Sequence, residues 1–425
     1  MRRFWLLLLI VLAVPLPPAA ATGDPMSDRQ WGLSTVRAPE AWKTTGGAGS
    51  VVAIVDTGVH LTHEDLKANV VAGSNVVSGG PPSDDHGHGT HVAGIAAAAA
   101  GNGIGVAGVA PKAKIMPVKA LRFDPESGGA SGTSSDIAEA IRWAADSGAD
   151  VINLSIGSEV AVVNLLPDAM HSAIRYAWGK GAIPVLAAGN DALFPSGYSD
   201  VDAIVVGATN RADRRASYSS DIGIAKWGMV APGGERDDGI LSTYWQKTNP
   251  DAYAFAAGTS MAAPHVAGAA ALLRSLGIGQ RETVDILLDT AVDVGSSFTY
   301  GAGRLDARAA VVAVSGKAGE PTKPSAPSPT PAAKASETAQ NPAQGVPRGV
   351  TPSPATGDGE ALADDAEPFT VVEPAAQPTD GGPEAAAQTP NGATPGPVAV
   401  AVVIVAVVAA GLGGTWLLLR VRRRS

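Results

Sequence analysis

VAIVDTGV, residues 52–59, is an apolar run that stops on a carboxylate and a tight turn. With Val51 it supplies five consecutive apolar residues without polar alternation, the pattern of a strand buried on both faces. Asp56 is thereby placed at the carboxyl edge of a parallel sheet, where ligands bind in doubly wound folds. Further strands are predicted at Lys114–Leu121, Val151–Leu154, Ile183–Ala187 and Ala203–Ala208, with helices at Ser134–Ser147, Asp168–Gly179 and Gln280–Thr290. Strands alternating with helices imply an α/β fold, a doubly wound, mainly parallel sheet with helices on both faces.

Two more stretches share the character of the first. In HGHGTHVAG, residues 86–94, His88 stands between glycines ahead of a helical stretch, His91–Ala100, with Thr90 as its cap. In GTSMAAPHVAG, residues 258–268, Ser260 opens a helical run through Leu273, where backbone N–H groups lack partners. Alone, Asp56 reads as a turn residue and Ser260 as a cap. Together they form the set that peptide hydrolysis needs. A serine hydroxyl attacks a carbonyl only if an imidazole takes its proton, the role of His88. A buried carboxylate on the other ring nitrogen sets the tautomer and stabilises the imidazolium, the role of Asp56. The oxyanion needs donors, and the Ser260 N–H and the side-chain amide of Asn190 in VLAAGN are the best placed. The order Asp, His, Ser is that of subtilisin; α/β-hydrolases run Ser, Asp, His and chymotrypsin runs His, Asp, Ser.

Residues 84–91 also carry carboxylates and imidazoles at metal-ligand spacing. Zinc on His88 would occupy the nitrogens that a base needs, and the HExxH arrangement of metalloproteases is absent. His60, His63, His86, His91, His171 and His265 read as structural.

At these positions the chain resembles the subtilase family of serine endopeptidases (S8 peptidases), over roughly residues 24–315. DVINLSIG (150–157), PVLAAGN (184–190), AIVVGAT (203–209), VAPGG (230–234) and YGAGRLDA (300–307) follow in family order. The resemblance implies a subtilisin-like fold, with Asp56, His88 and Ser260 as the triad and Asn190 as the oxyanion-hole amide. It implies that Gly132 and the segment Ser155, Ile156 and Gly157 bind an extended protein or peptide substrate as an added strand. It also implies a structural calcium site near the amino terminus, with Asp24, Asp65 and Asn102 in matching places and no cofactor for catalysis. Oxygen ligands from scattered loops suit that ion. The chain has no cysteine, so bound calcium would do what disulfides cannot.

The ends suggest where it works. Residues 1–21 have two arginines, an apolar core and Ala19-Ala20-Ala21, a secretory signal-peptide pattern. Residues 398–419 are nearly uniformly apolar, long enough for a single pass across the cell membrane, and the basic tail 420–425 is expected on the cytoplasmic side. That places the catalytic domain outside. Between them, residues 316–397 are rich in Pro, Ala and Thr and too poor in large apolar residues to build a core, so a disordered linker is expected. Residues 22–30 leave no room for a full pro-domain. This arrangement resembles the membrane-anchored mycosins associated with type VII secretion machinery, although the inserted loops and cysteines of that group are missing. The alternative is a mainly structural part of a membrane secretion complex with dispensable protease activity. A net charge of −9 supplies no basic face for nucleic acid.

Overall fold

A computed structural model describes residues 23–126, 128–156, 167–191, 198–315, 361–363 and 370–372. The apolar run around Ile54 is the centre of the molecule. As strand β1 (Val51–Asp56) it lies inside a seven-stranded parallel sheet. On one side follow β3 (Lys114–Lys119) and the short β2 (Ser74–Asn75). On the other follow β6 (Val151–Leu154), β7 (Ile183–Ala187), β8 (Ile204–Thr209) and β9 (Trp227–Pro232).

The two faces of β1 feed two separate cores. Val52 and Ile54 pack with α3 (His88–Ala97) and α6 (Thr259–Ser275). Ala53 and Val55 pack with α4 (Ser134–Asp146) and α5 (Asp168–Gly179). Helix α6 is buried from Thr259 through Leu273, as an alanine-rich helix with no charged face must be. Helix α4 starts where the Thr133 side chain accepts the Asp136 N–H. Shorter helices α1 (Trp31–Thr35), α2 (Ala38–Ala41), α7 (Gln280–Asp289), α8 (Ser297–Tyr300) and α9 (Ala307–Ser315) complete the layers.

Two small sheets stand apart from the main one. β10 (Ile240–Gln246) and β11 (Asn249–Ala256) form a hairpin to which β13 (Thr370–Val372) adds. β4 (Arg122–Phe123) pairs with β5 (Ala130–Thr133), whose other edge carries β12 (Ala361–Ala363).

The predicted strands at 151–154 and 183–187 and the helix at 168–179 have the expected bounds, and the other predicted strands and helices shift by one or two residues at an end. Helix α3 is a correction, because it begins at His88 rather than His91 and Thr90 does not cap it. Gly87 precedes the helix at φ 108°, and a Cβ there would lie 2.3 Å from the Tyr244 ring, so only glycine fits. The span 316–397, expected to lack structure, contributes β12 and β13, which pair with β5 and β11. Residues 1–21, most of 316–397, the apolar stretch 398–419, the tail 420–425 and Gly157 lie outside the described residues. Among the described residues no helix is long and apolar enough to cross a membrane.

Candidate active site

Asp56 ends β1 and His88 begins α3, and both side chains are wholly buried. His88 Nδ1 lies 2.8 Å from Asp56 Oδ1, so the ring donates to the carboxylate and presents Nε2 as the basic nitrogen. Asp56 Oδ1 also accepts the Thr57 N–H at 2.7 Å, which fixes the carboxylate.

The start of α3 is held by a residue that sequence reasoning missed. Both carboxylate oxygens of buried Asp84 are engaged: Oδ1 accepts from Thr57 Oγ1 and the N–H groups of His86 and Gly87, and Oδ2 from the N–H and hydroxyl of Thr90. Thr57 in turn accepts the Gly89 N–H. The end of β1 and the first turn of α3 are thus locked together, and His88 rides on that joint. The local signal was only an aspartate three residues before a glycine; its partner Thr57 is distant in sequence. Asp84 therefore serves as a helix anchor. Its neighbour Asp85 pairs with Lys119, whose ammonium also bonds the Thr57 and Leu121 carbonyls.

Ser260 occupies the first turn of α6, only 2 % exposed. Pro264 lies four residues on and has no N–H, so the Ser260 carbonyl loses its helical partner. Ser155 Oγ donates to that carbonyl at 2.8 Å, while Ser260 Oγ donates to the Ser155 carbonyl at 3.3 Å. The end of β6 is so stitched to the nucleophile's turn. Asn153 Nδ2 supports Ser155 Oγ at 2.8 Å. Asn190, beyond β7, accepts the N–H and the hydroxyl of Thr259 with Oδ1, both at 2.9 Å. That orients its amide nitrogen beside Gly258. Thr259 is the second residue that sequence reasoning missed.

Ile156 is buried at the same strand end, and Gly132 sits in β5. A Cβ on Gly132 would lie 2.3 Å from the Ala120 carbonyl, so β5 can pack this closely only as glycine. The N–H groups of Ala120 and Leu121 both reach the Asp56 carbonyl, so β5 is one layer from the end of β1.

Three of the remaining histidines are buried. Nε2 of His63 and His91 and Nδ1 of His265 each donate to a backbone carbonyl, of Ala252, Ala254 and Met261. Burial lowers their pKa values to about 4, about 3 and about 4. Asp24, Asp65 and Asn102 do come together. Asn102 Nδ2 is 2.7 Å from Asp65 Oδ1, and the N–H groups of Gly101 and Asn102 reach Asp24. Burial, with the nearby Asp24 and Glu64 charges, pushes the Asp65 carboxyl up to about 7.

A carboxylate-held imidazole and a serine at a helix start are the groups that define one class of serine hydrolases. The subtilase family model matches residues 47–303, and the chain belongs to that family. It is a subtilisin-like serine endopeptidase. Thermitase of Thermoactinomyces vulgaris is 42% identical over 295 residues, 68% of this chain and 98% of its own length. The thermophilic serine proteinase of Bacillus sp. (strain AK1) is 43% identical over 282 residues, 64% of this chain and 65% of its own. Among solved structures, a protease from Pseudoalteromonas arctica superposes with a TM-score of 0.59 at 34% identity, covering 69% of this chain and 99% of that one.

Proposed function

We propose that Asp56, His88 and Ser260 carry the reaction and that the enzyme is a membrane-tethered, mycosin-like protease acting on exported proteins. The observation that carries the site is the buried 2.8 Å His88–Asp56 pair, with Ser260 fastened to the end of β6. His88 takes the Ser260 hydroxyl proton as Oγ bonds the substrate carbonyl carbon. The resulting oxyanion is met by the Asn190 amide and N–H groups at the start of α6. His88 then passes its proton to the leaving amine, the peptide bond breaks and an ester to Ser260 remains. Water, deprotonated by the same ring, releases the acid. Gly132 and the segment Ser155, Ile156 and Gly157 hold the substrate as an added strand.

A fluorophosphonate probe should label the folded wild type and leave Ser260→Ala blank; equal labelling would remove the assignment. The tether rests on the apolar stretch 398–419 and the arginines after it. Carbonate-washed membranes should retain the full chain but release an Ile404→Asp/Val408→Asp variant, since each charge costs about 3 kcal/mol at mid-bilayer. Retention of both would refute a spanning segment. Transfer to type VII secretion rests on the arrangement of segments alone, and unprocessed exported proteins should accumulate in a Ser260→Ala strain.

The gathering of two carboxylates and an amide at Asp24, Asp65 and Asn102 supports a structural calcium ion there, which would take the oxygens now accepting N–H groups. Calcium there would tie the amino terminus to the loop at 101–106; the reaction itself does not use it.

A further inference from the structure

The free edge of β5 is occupied by the chain itself. Ala361, Leu362 and Ala363 pair antiparallel with Thr133, Gly132 and Ser131. The opposite edge of β5 is taken by Arg122 and Phe123 of β4, so β12 holds the remaining one. Gly132, the middle partner, lies against Ala120, whose N–H bonds the Asp56 carbonyl. A second clasp follows seven residues later, where Thr370, Val371 and Val372 pair antiparallel with Phe255, Ala254 and Tyr253. The Ala254 carbonyl is the acceptor of His91, on the helix that begins with His88. The two anchors therefore fall on one strand packed near the end of β1 and on another bonded to α3.

We propose that residues 361–363, clasped by 370–372, act as an intramolecular occupant of the peptide-binding edge and throttle the enzyme in cis. A strand of three residues binds weakly as a free peptide. Tethered to the catalytic domain it is present at an effective concentration on the order of mM, enough to compete with an exported protein for the same ladder. Displacement requires a substrate that fills more of the groove than three residues, so short peptides suffer most. The inference rests on Gly132 lying in the substrate edge, as assigned under the function above.

The test uses the full-length protein in detergent. Successive N–H groups on a strand point to opposite sides, so an Ala361→Pro/Leu362→Pro variant removes whichever of the two faces β5. Neither residue belongs to the catalytic core, and Val371→Pro, in the second clasp, is the independent variant. Expected is a KM for a short chromogenic peptide that drops about threefold or more in both variants, with kcat unchanged. A synthetic peptide of residues 358–368 should raise KM again in the double variant. Unchanged KM in both variants, with fluorophosphonate labelling equal to wild type, overturns the throttle and leaves the protease assignment standing. Cleavage within 360–366 by the wild type but not by Ser260→Ala also overturns it, since the segment would then be consumed rather than retained. Failure of every form to label at Ser260 overturns both readings.

Discussion

His88 has one carboxylate to set its proton, and Asp56 has two donors to set its geometry. Asp56→Asn would keep the fold while offering the ring an amide that no longer fixes the productive tautomer. Turnover is expected to fall about 10⁴-fold, the scale known for that exchange in a serine protease triad. Steady-state kcat with an unchanged melting temperature is the check. Asn190→Ala removes the oxyanion donor and also the acceptor of two Thr259 groups. It should lower kcat by about 100- to 1000-fold, a magnitude taken from subtilisin itself, and lower the melting temperature as well. A loss in KM alone would show that Asn190 only binds substrate. Ser155 and Pro264 matter through a single carbonyl. The proline frees the Ser260 oxygen and the serine hydroxyl takes it, so neither residue is understood without the other.

The joint between β1 and α3 is the most consequential connection between elements. Asp84→Ala would strand the Thr57 hydroxyl, three backbone N–H groups and the Thr90 hydroxyl. A cost of about 3 kcal/mol or more follows, with His88 misplaced. Denaturant unfolding measures the first and fluorophosphonate labelling rate the second; an unshifted midpoint would refute the anchor. What was legible in the sequence tracks how local the cause is. β1, β6 and β7 could be read because burial on both faces makes their residues apolar throughout, and α5 because its apolar stripe repeats at helical spacing. The three catalytic candidates were legible because the turn and helix-start residues around each one are contiguous. The first turn of α3 was misplaced because its acceptor, Asp84, and the hydroxyl that braces it, Thr57, come from outside the helix. The hairpin β10–β11 was not foreseen: Tyr244, Gln246, Asn249 and Asp251 break any simple alternation, and its pairing is set by α3, through bonds such as Ser242 Oγ to the His91 carbonyl. β12 carries no strand signal of its own, and the β-branched Thr370, Val371 and Val372 of β13 form too short a run to be read without their partner.

At the scale of the whole molecule, acid is the weak flank. His63, His91 and His265 charge near pH 6.5 in the unfolded chain but only near 3 to 4 when packed. Between those values the unfolded state binds more protons, so stability present above pH 6.5 is lost as pH falls toward 4. Asp65 acts in the opposite sense, holding its proton up to about 7 in the folded state and losing stability as pH rises through that value. Three rings act against one carboxylate, and the rings prevail. Melting temperature is expected to fall steadily from pH 6.5 to 4, and a flat profile would contradict the neutral packing of these rings. Calcium at mM concentration should raise it at pH 8, with a gain that shrinks toward pH 5 as protons reclaim Asp65. An equal gain at both would exclude Asp65 as a ligand. The proposed reacting groups come from the end of β1, the start of α3 and the start of α6, spread over more than half of the described residues. A newborn copy that stalls before its layers close is thus toothless, yet its loose backbone is food for finished siblings. Incomplete copies should therefore be lost to proteolysis faster than finished ones when the two are mixed, and equal survival would contradict this.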